Sequence, residues 1–175
     1  MRWPWQRRTL PGALTEALDK DEQVLVLADL EGAGVLAASR FGLWLVENDK
    51  ATRLGWELVA KASLAGSTLS ITPTHVVDEL PDGTQVLVDD PVRRYQLAGR
   101  SGLTDIVHAR VRRSVAASTH LRYPGAGGWV VLRRVPGRDG LTRQVRLDPG
   151  ADVWAAGFAE AVDAVAAELE SSGPD

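Results

Sequence analysis

The sequence predicts an α+β fold: an antiparallel sheet curled into a sandwich or a partly closed barrel with a helix, then a three-stranded antiparallel sheet and a C-terminal helix. Three observations predict it. Residues 22–89 fall into short apolar runs punctuated by Gly, Pro, Asn and Asp, as antiparallel strands joined by tight turns do. Two later stretches switch to helical spacing, with Leu103, Ile106, Val107 and Val111 in one and Trp154, Phe158, Ala161, Val162, Val165 and Leu169 in the other. Between them, residues 115–123 alternate apolar and polar side chains, the period of a half-buried strand. The 175 residues, 45% hydrophobic and 25% charged, suffice for one packed domain with a small extension and no covalent staples.

Residues 1–12 contain Pro4, Pro11 and Gly12 and are not expected to be helical. Trp3 and Trp5 beside Arg2, Arg7 and Arg8 suit an anionic membrane surface, but the stretch is too short for the apolar face that such anchors need. A tail without membrane contact is expected. Residues 13–20 follow as a short helix with Leu14, Ala17 and Leu18 on one face. Strands are expected at 24–30, 35–39, 43–47 and 53–56, then at 58–64 and 68–72. Residues 75–80 and 84–89 form a hairpin, because Pro81-Asp82-Gly83 suits a tight turn. A polar connector with weak strand character at 93–97 leads to a helix over 102–113. Strands at 115–123, 129–135 and 141–147 are separated by turns at 125–128 and 136–140. A helix from about 150 to 170 closes the chain, with Asp148 as N-cap and Pro149 as its first residue. Asp152, Glu160, Asp163 and Glu170 would face water, and 171–175 would fray. The expected organisation is therefore a tail and short helix (1–21), a main domain (22–113), a β3–α extension packed on it (114–170) and a frayed end (171–175).

Several function classes are disfavoured at once. With no cysteine there is no disulfide scaffold, cysteine nucleophile or thiolate metal site. The longest apolar run, residues 24–28, is far short of the ~18 residues of a membrane span. No apolar stretch follows the N-terminal arginines, so no secretory signal is expected and the location expected is the cytoplasm. Gly32-Ala33-Gly34-Val35-Leu36-Ala37 matches a dinucleotide fingerprint. The break at Arg40-Phe41-Gly42 arrives too early for the helix whose N-terminus would hold the pyrophosphate, so the motif reads as a hairpin loop. His75, His108 and His120 are scattered and make a poor metal set. Asp89 and Asp90 are adjacent on a strand and point to opposite faces, so they cannot share a proton. No catalytic residue, cofactor or metal is expected.

Charge is unevenly spread. Residues 1–90 carry a net −6, residues 91–148 a net +9 and residues 149–175 a net −6. Arg110, Arg112, Arg113, Arg122, Arg133, Arg134, Arg143 and Arg146 supply most of the basic block. On one face they could hold a phosphate backbone. The simpler account is that the acidic terminal helix docks beside these strands and cancels them. Of the 20 basic residues 17 are Arg, a bias typical of GC-rich genomes, which weakens any reading from arginine abundance alone.

Val24-Leu25-Val26 with residues 35–45, and Arg53-Leu54-Gly55-Trp56-Glu57-Leu58-Val59 with Leu69-Ser70-Ile71 after it, resemble the opening pair and the strand crossing of bacterial pleckstrin-homology-like (PH-like) domains, of a kind found in actinobacteria. The resemblance covers residues 22–113 and implies a PH-like partly closed barrel or sandwich whose closing helix is 102–113. It implies a binding or scaffolding role, with a protein partner or a second copy, and no catalysis. Family members that bind phosphoinositides use basic residues of the first hairpin loop. Here that loop, Asp29-Leu30-Glu31-Gly32-Ala33-Gly34, is acidic, so this property does not carry over. The sequence therefore predicts a non-enzymatic PH-like binding or scaffolding protein, with polyanion (nucleic-acid) binding through 91–148 as the alternative.

Overall fold

The computed structural model describes residues 8–173, so Trp3 and Trp5 lie outside the described residues. Strands β1 (Val24–Asp29), β2 (Val35–Ser39), β3 (Gly42–Glu47) and β4 (Lys50–Gly55) form a four-stranded antiparallel meander. The fingerprint-like glycines make the β1–β2 turn. Leu30 N–H donates to the Gly34 carbonyl at 3.1 Å, and Gly32 and Gly34 adopt φ of 86° and 102°. At the β3–β4 turn Asn48 and Asp49 both take positive φ, which Asn and Asp tolerate best among residues with a Cβ. A short 3-10 turn, Trp56–Leu58, then carries the chain to the second sheet.

That sheet contains β5 (Val59–Ala65), β6 (Thr68–Glu79), β7 (Gln85–Asp89), β8 (Arg93–Gln96), β9 (Val115–Tyr123), β10 (Ala126–Arg133) and β11 (Thr142–Leu147). Its order is β5-β6-β7-β11-β10-β9, with β8 also paired to β6. The break expected after residue 72 does not occur. β6 is one strand of 12 residues that exchanges partners around Pro73. Residues 68–73 pair with β5 and, over 68–71, with β8; residues 74–79 pair with β7. Pro73 has no N–H to give a ladder, but its carbonyl still accepts from Asp90 N–H at 2.8 Å. Register shifts between Val59 and Lys61 and between Val76 and Asp78 add local twist. The expected three-stranded antiparallel unit is β9-β10-β11, and β11 also joins β7 in parallel. The hairpin at 75–89 and the strands after residue 114 thus share one sheet.

Three apolar cores follow. The first lies between the two sheets and helix α2 (Leu103–Ser114), around Trp56, Leu36, Leu69, Ile71, Leu103 and Val107. In the second, helix α3 (Phe158–Ser171) buries Phe158, Val162 and Ala166 against Val86, Val130 and Val145. In the third, helix α1 (Gly12–Ala17) seats Leu14 on Ala37, Trp44 and Val46. Both faces of β2 are therefore covered, which is why it reads as a continuous apolar run rather than an alternation. Glu22 is buried beside this core, where it accepts from Ser39 Oγ, Trp44 Nε1 (2.8 Å) and Arg53 (2.8 Å).

Both terminal helices differ from expectation. α1 ends at Ala17 because Leu18 turns extended. α3 begins at Phe158, not near 150. The intervening residues form turns, with Asp152 N–H on the Gly125 carbonyl and Gly157 at φ 79° as N-cap. Tyr123 donates its hydroxyl to the Ala156 carbonyl at 2.6 Å and leaves no room for a Cβ on Gly157. Trp154, expected on the apolar stripe, precedes the helix and is 75% exposed. Asp163 and Glu170 are exposed, as expected, and from the surface they also bond Arg143 of β11. Among the described residues no helix is long and apolar enough to cross a membrane.

Candidate anion site

The arginines of the basic block meet four fates. Arg143 is clamped by Asp82 (2.9 Å), Asp163 (2.7 Å) and Glu170 (2.8 Å), which raise its pKa well above the ordinary arginine value. Arg146 is held by both carboxylate oxygens of Asp89 at 2.6 Å each. Arg133 is buried and donates to Gln144 Oε1 (3.2 Å), Ser114 Oγ (2.5 Å) and the Val59 carbonyl (3.3 Å), all neutral. Arg122 is exposed on β9, and Arg112 is exposed in the last turn of α2. None of these five lines the pocket where the other three meet.

Arg110, Arg113 and Arg134 line one pocket of about 350 Å³ together with Arg40 and Arg138, which the sequence reading did not single out. Each arrives by a local rule. Arg110 and Arg113 are three apart on α2 and share a helix face. Arg113 lies in the last turn, where a cation opposes the negative end of the helix dipole. Arg134 follows β10 and donates to the Arg113 (3.3 Å) and Val115 (3.4 Å) carbonyls, which covers groups that a helix end leaves unpaired. Arg138 lies beyond the Pro136-Gly137 turn. Gly137, at φ 83°, lies close enough to the Phe41 ring that an added Cβ would meet it at 3.5 Å, so the loop docks there. Arg40 enters from the β2–β3 turn, its guanidinium 5.6 Å from the centroid of Phe41. Buried Trp56 and Val135 supply apolar wall.

Five arginines and no carboxylate line this pocket among the described residues. The electrostatic strain is visible at Arg110, whose pKa is lowered by burial and then by the like charges of Arg113 and Arg40. No arginine of the pocket forms an ion pair among the described residues. The pocket also joins the two halves of the chain, since Arg40, Trp56, Arg110 and Arg113 come from one half and residues 134–138 from the other. Linear spacing could not reveal Arg40 and Arg138. The available signal was that each sits beside a glycine-bearing turn.

The histidines go elsewhere. His75 pairs with Asp90 and His120 with Asp148, each at 2.8 Å, and His108 lies on α2. Among the described residues no group of three or more His, Cys, Asp or Glu side chains gathers as a metal site would require. Asp89 and Asp90 face apart, one towards Arg146 and one towards His75. No protein-family model matches the chain, and no curated protein or solved structure matches it either.

Proposed function

We propose that the protein is a non-enzymatic PH-like binding module that holds a compact anionic ligand in the arginine pocket. One observation carries this reading: five arginines, and no carboxylate residue among the described residues, line a pocket of about 350 Å³. Guanidinium stays protonated at neutral pH, offers five donors in a fixed fork and pairs with carboxylate or phosphate. Such a cluster suits capture of an anion and is poorly suited to proton transfer. A bound anion would relieve the repulsion that Arg40 and Arg113 exert on Arg110. The order of elements supports the PH-like part. A four-stranded meander is followed by β5, β6 and β8, and the Leu30–Leu97 bridge brings β8 beside the end of β1. The helix that follows packs on their shared core.

The polyanion alternative draws less support. Arg143 and Arg146 are neutralised and Arg133 is buried, so the basic block offers no continuous stripe for a phosphate backbone. Titration with inorganic phosphate, pyrophosphate and duplex DNA at about 50 and 200 mM salt separates the readings, because multi-contact duplex binding collapses over that range. We expect pyrophosphate to bind, and Arg113→Glu with Arg138→Glu to abolish binding without loss of fold, since both side chains are exposed. DNA binding that survives this double substitution, or no binding of any anion, overturns the reading. Arg133 is unsuitable for the test because its substitution disturbs the core.

A further inference from the structure

The second sheet has two faces, and α3 covers only one. Side chains alternate along a strand, so Val130, Val145 and Val86 meet α3 while Trp129, Val131, Arg133, Gln144 and Leu87 face the other way. That second face curls round a cavity of about 180 Å³ lined from β5 and β6 at one side to β9 and β10 at the other. Both edge strands, β5 through Ala60 and β9 through Ser118, border the same space, so this part of the sheet is a half-barrel with an interior.

The chemistry of that interior is divided. Leu87, Val131 and Val115 form an apolar wall, and Trp129, 43% exposed, also lines the space. Arg133, only 7% exposed, lines the same space. Buried charges are normally paired, because desolvation of a lone ion costs several kcal/mol. Among the described residues Arg133 donates only to neutral acceptors. Those contacts explain its N–H groups but leave its charge unanswered, and Glu57 acts on it only through space. The nearby Arg146 is already answered by Asp89. Burial pushes the Arg133 pKa down to about 10. A buried cation with no ion-pair partner among the described residues, in a cavity with one apolar wall, is the arrangement expected of a site whose counter-charge arrives with its ligand.

We infer that the half-barrel is a ligand site separate from the arginine pocket, and that it takes a small carboxylate with an apolar body. The carboxylate supplies the missing partner of Arg133, and the body lies along Leu87, Val131 and the indole of Trp129. The space equals the share of roughly six liquid waters at about 30 Å³ each, which limits the ligand to one ring or a short chain. Selectivity follows from the lone buried charge: a neutral amide of the same shape leaves it unanswered.

Benzoate and benzamide are matched probes. The readout is the indole N–H resonance of Trp129 in the full chain, assigned through Trp129→Phe. We expect saturable shifts with benzoate, and binding of benzamide at least about tenfold weaker, the value of one charge-assisted bond. Ser118→Leu fills the cavity from an exposed position on an edge strand and should abolish the benzoate response while the protein still folds. Arg133→Met should erase the preference for benzoate if it folds, and Ser118→Leu decides the matter if it does not. Arg113→Glu with Arg138→Glu should leave the response intact. Loss of the response in that double variant assigns benzoate to the arginine pocket and overturns the inference. So does equal binding of the two probes, an unsaturable shift, or a benzoate response that survives Ser118→Leu.

Discussion

Replacing Trp56 by alanine tests whether the strand crossing anchors the first core. Trp56 lies in the 3-10 turn between the sheets, is 1% exposed and donates its indole N–H to the Ser39 carbonyl at 3.0 Å. It packs among Leu36, Ile71, Leu103 and Val107, so sheet, sheet and helix meet on one ring. Truncation of a buried Trp costs about 3–5 kcal/mol in lost transfer energy and cavity. The lost hydrogen bond adds about 1 kcal/mol, giving about 4–6 kcal/mol. Domains are stable by only about 5–15 kcal/mol, so the variant should be marginal or unfolded. Urea unfolding followed by far-ultraviolet circular dichroism is the assay, since removing one of the six tryptophans itself alters the fluorescence signal. Trp56→Phe keeps a ring and loses the bond to Ser39, and should cost about 1–3 kcal/mol. An unchanged midpoint for Trp56→Ala refutes the anchoring role. Equal costs for Phe and Ala would refute the division between packing and hydrogen bond.

Other perturbations test the rest. Deletion of 150–175 removes Phe158, Val162 and Ala166 and bares Val86, Val130 and Val145, so the fragment 1–149 should aggregate or unfold; a soluble fragment with cooperative melting would make α3 an accessory. Acid should weaken the α3 clamp. The hydrogen bond from Arg143 holds the Glu170 carboxyl below its usual 4.5, so its contribution is full above that value and disappears as pH falls through the lower folded-state value. Asp82 behaves alike: burial alone would raise its pKa, but Thr84 and Arg143 together lower it. Arg143→Met should flatten the acid limb of a stability–pH curve, and an unaltered limb counts against the clamp. Gly128→Ala places a Cβ 2.5 Å from the Arg146 carbonyl of the neighbouring strand and should cost about 1–3 kcal/mol, while Gly99→Ala, with nothing within 4 Å, should stay within about 0.5 kcal/mol. Equal thermal shifts for the two would contradict the tight packing of β10 on β11.

Much of the strand pattern was legible because alternation and turn residues act locally. Residues 115–123 form a strand over the range that their alternation marks, and Gly32 and Gly34 make the hairpin loop that the early Arg40-Phe41-Gly42 break implied. What escaped was set by distant partners. Pro73 reads as a strand end, yet β6 runs on because its ladders change sides there and no N–H is needed. Asp148-Pro149 reads as a helix start, yet Gly125 and Tyr123, remote in sequence, hold the following residues in turns until Phe158. The parallel pairing of β11 with β7 joins residues about sixty apart, and nothing in either strand announces it. Arg40 escaped for the same reason, since it lies seventy residues before the helix arginines that it meets.

Arg133 and Arg134 show why a linear charge count misleads. They are neighbours in sequence, and strand geometry sends adjacent side chains to opposite sides. Arg133 turns into the half-barrel and is buried; Arg134 turns to the arginine pocket and binds the carbonyls at the end of α2. No single polyanion face can include both. The +9 of residues 91–148 is thus the sum of charges that the fold separates, some cancelled by Asp82, Asp89, Asp163 and Glu170, one buried, others such as Arg112 and Arg122 exposed apart, and a compact group gathered without ion-pair partners among the described residues. The neutralised arginines hold the second sheet to α3 and β11 to β7. Arg133 and the arginines of the pocket line cavities between the two halves of the chain. A charge left unpaired in such a place costs stability, and a ligand of opposite charge removes that cost. Ligand binding at either cavity should therefore raise the melting temperature of the whole chain, and more so at low salt for the exposed arginine pocket, where screening is strongest.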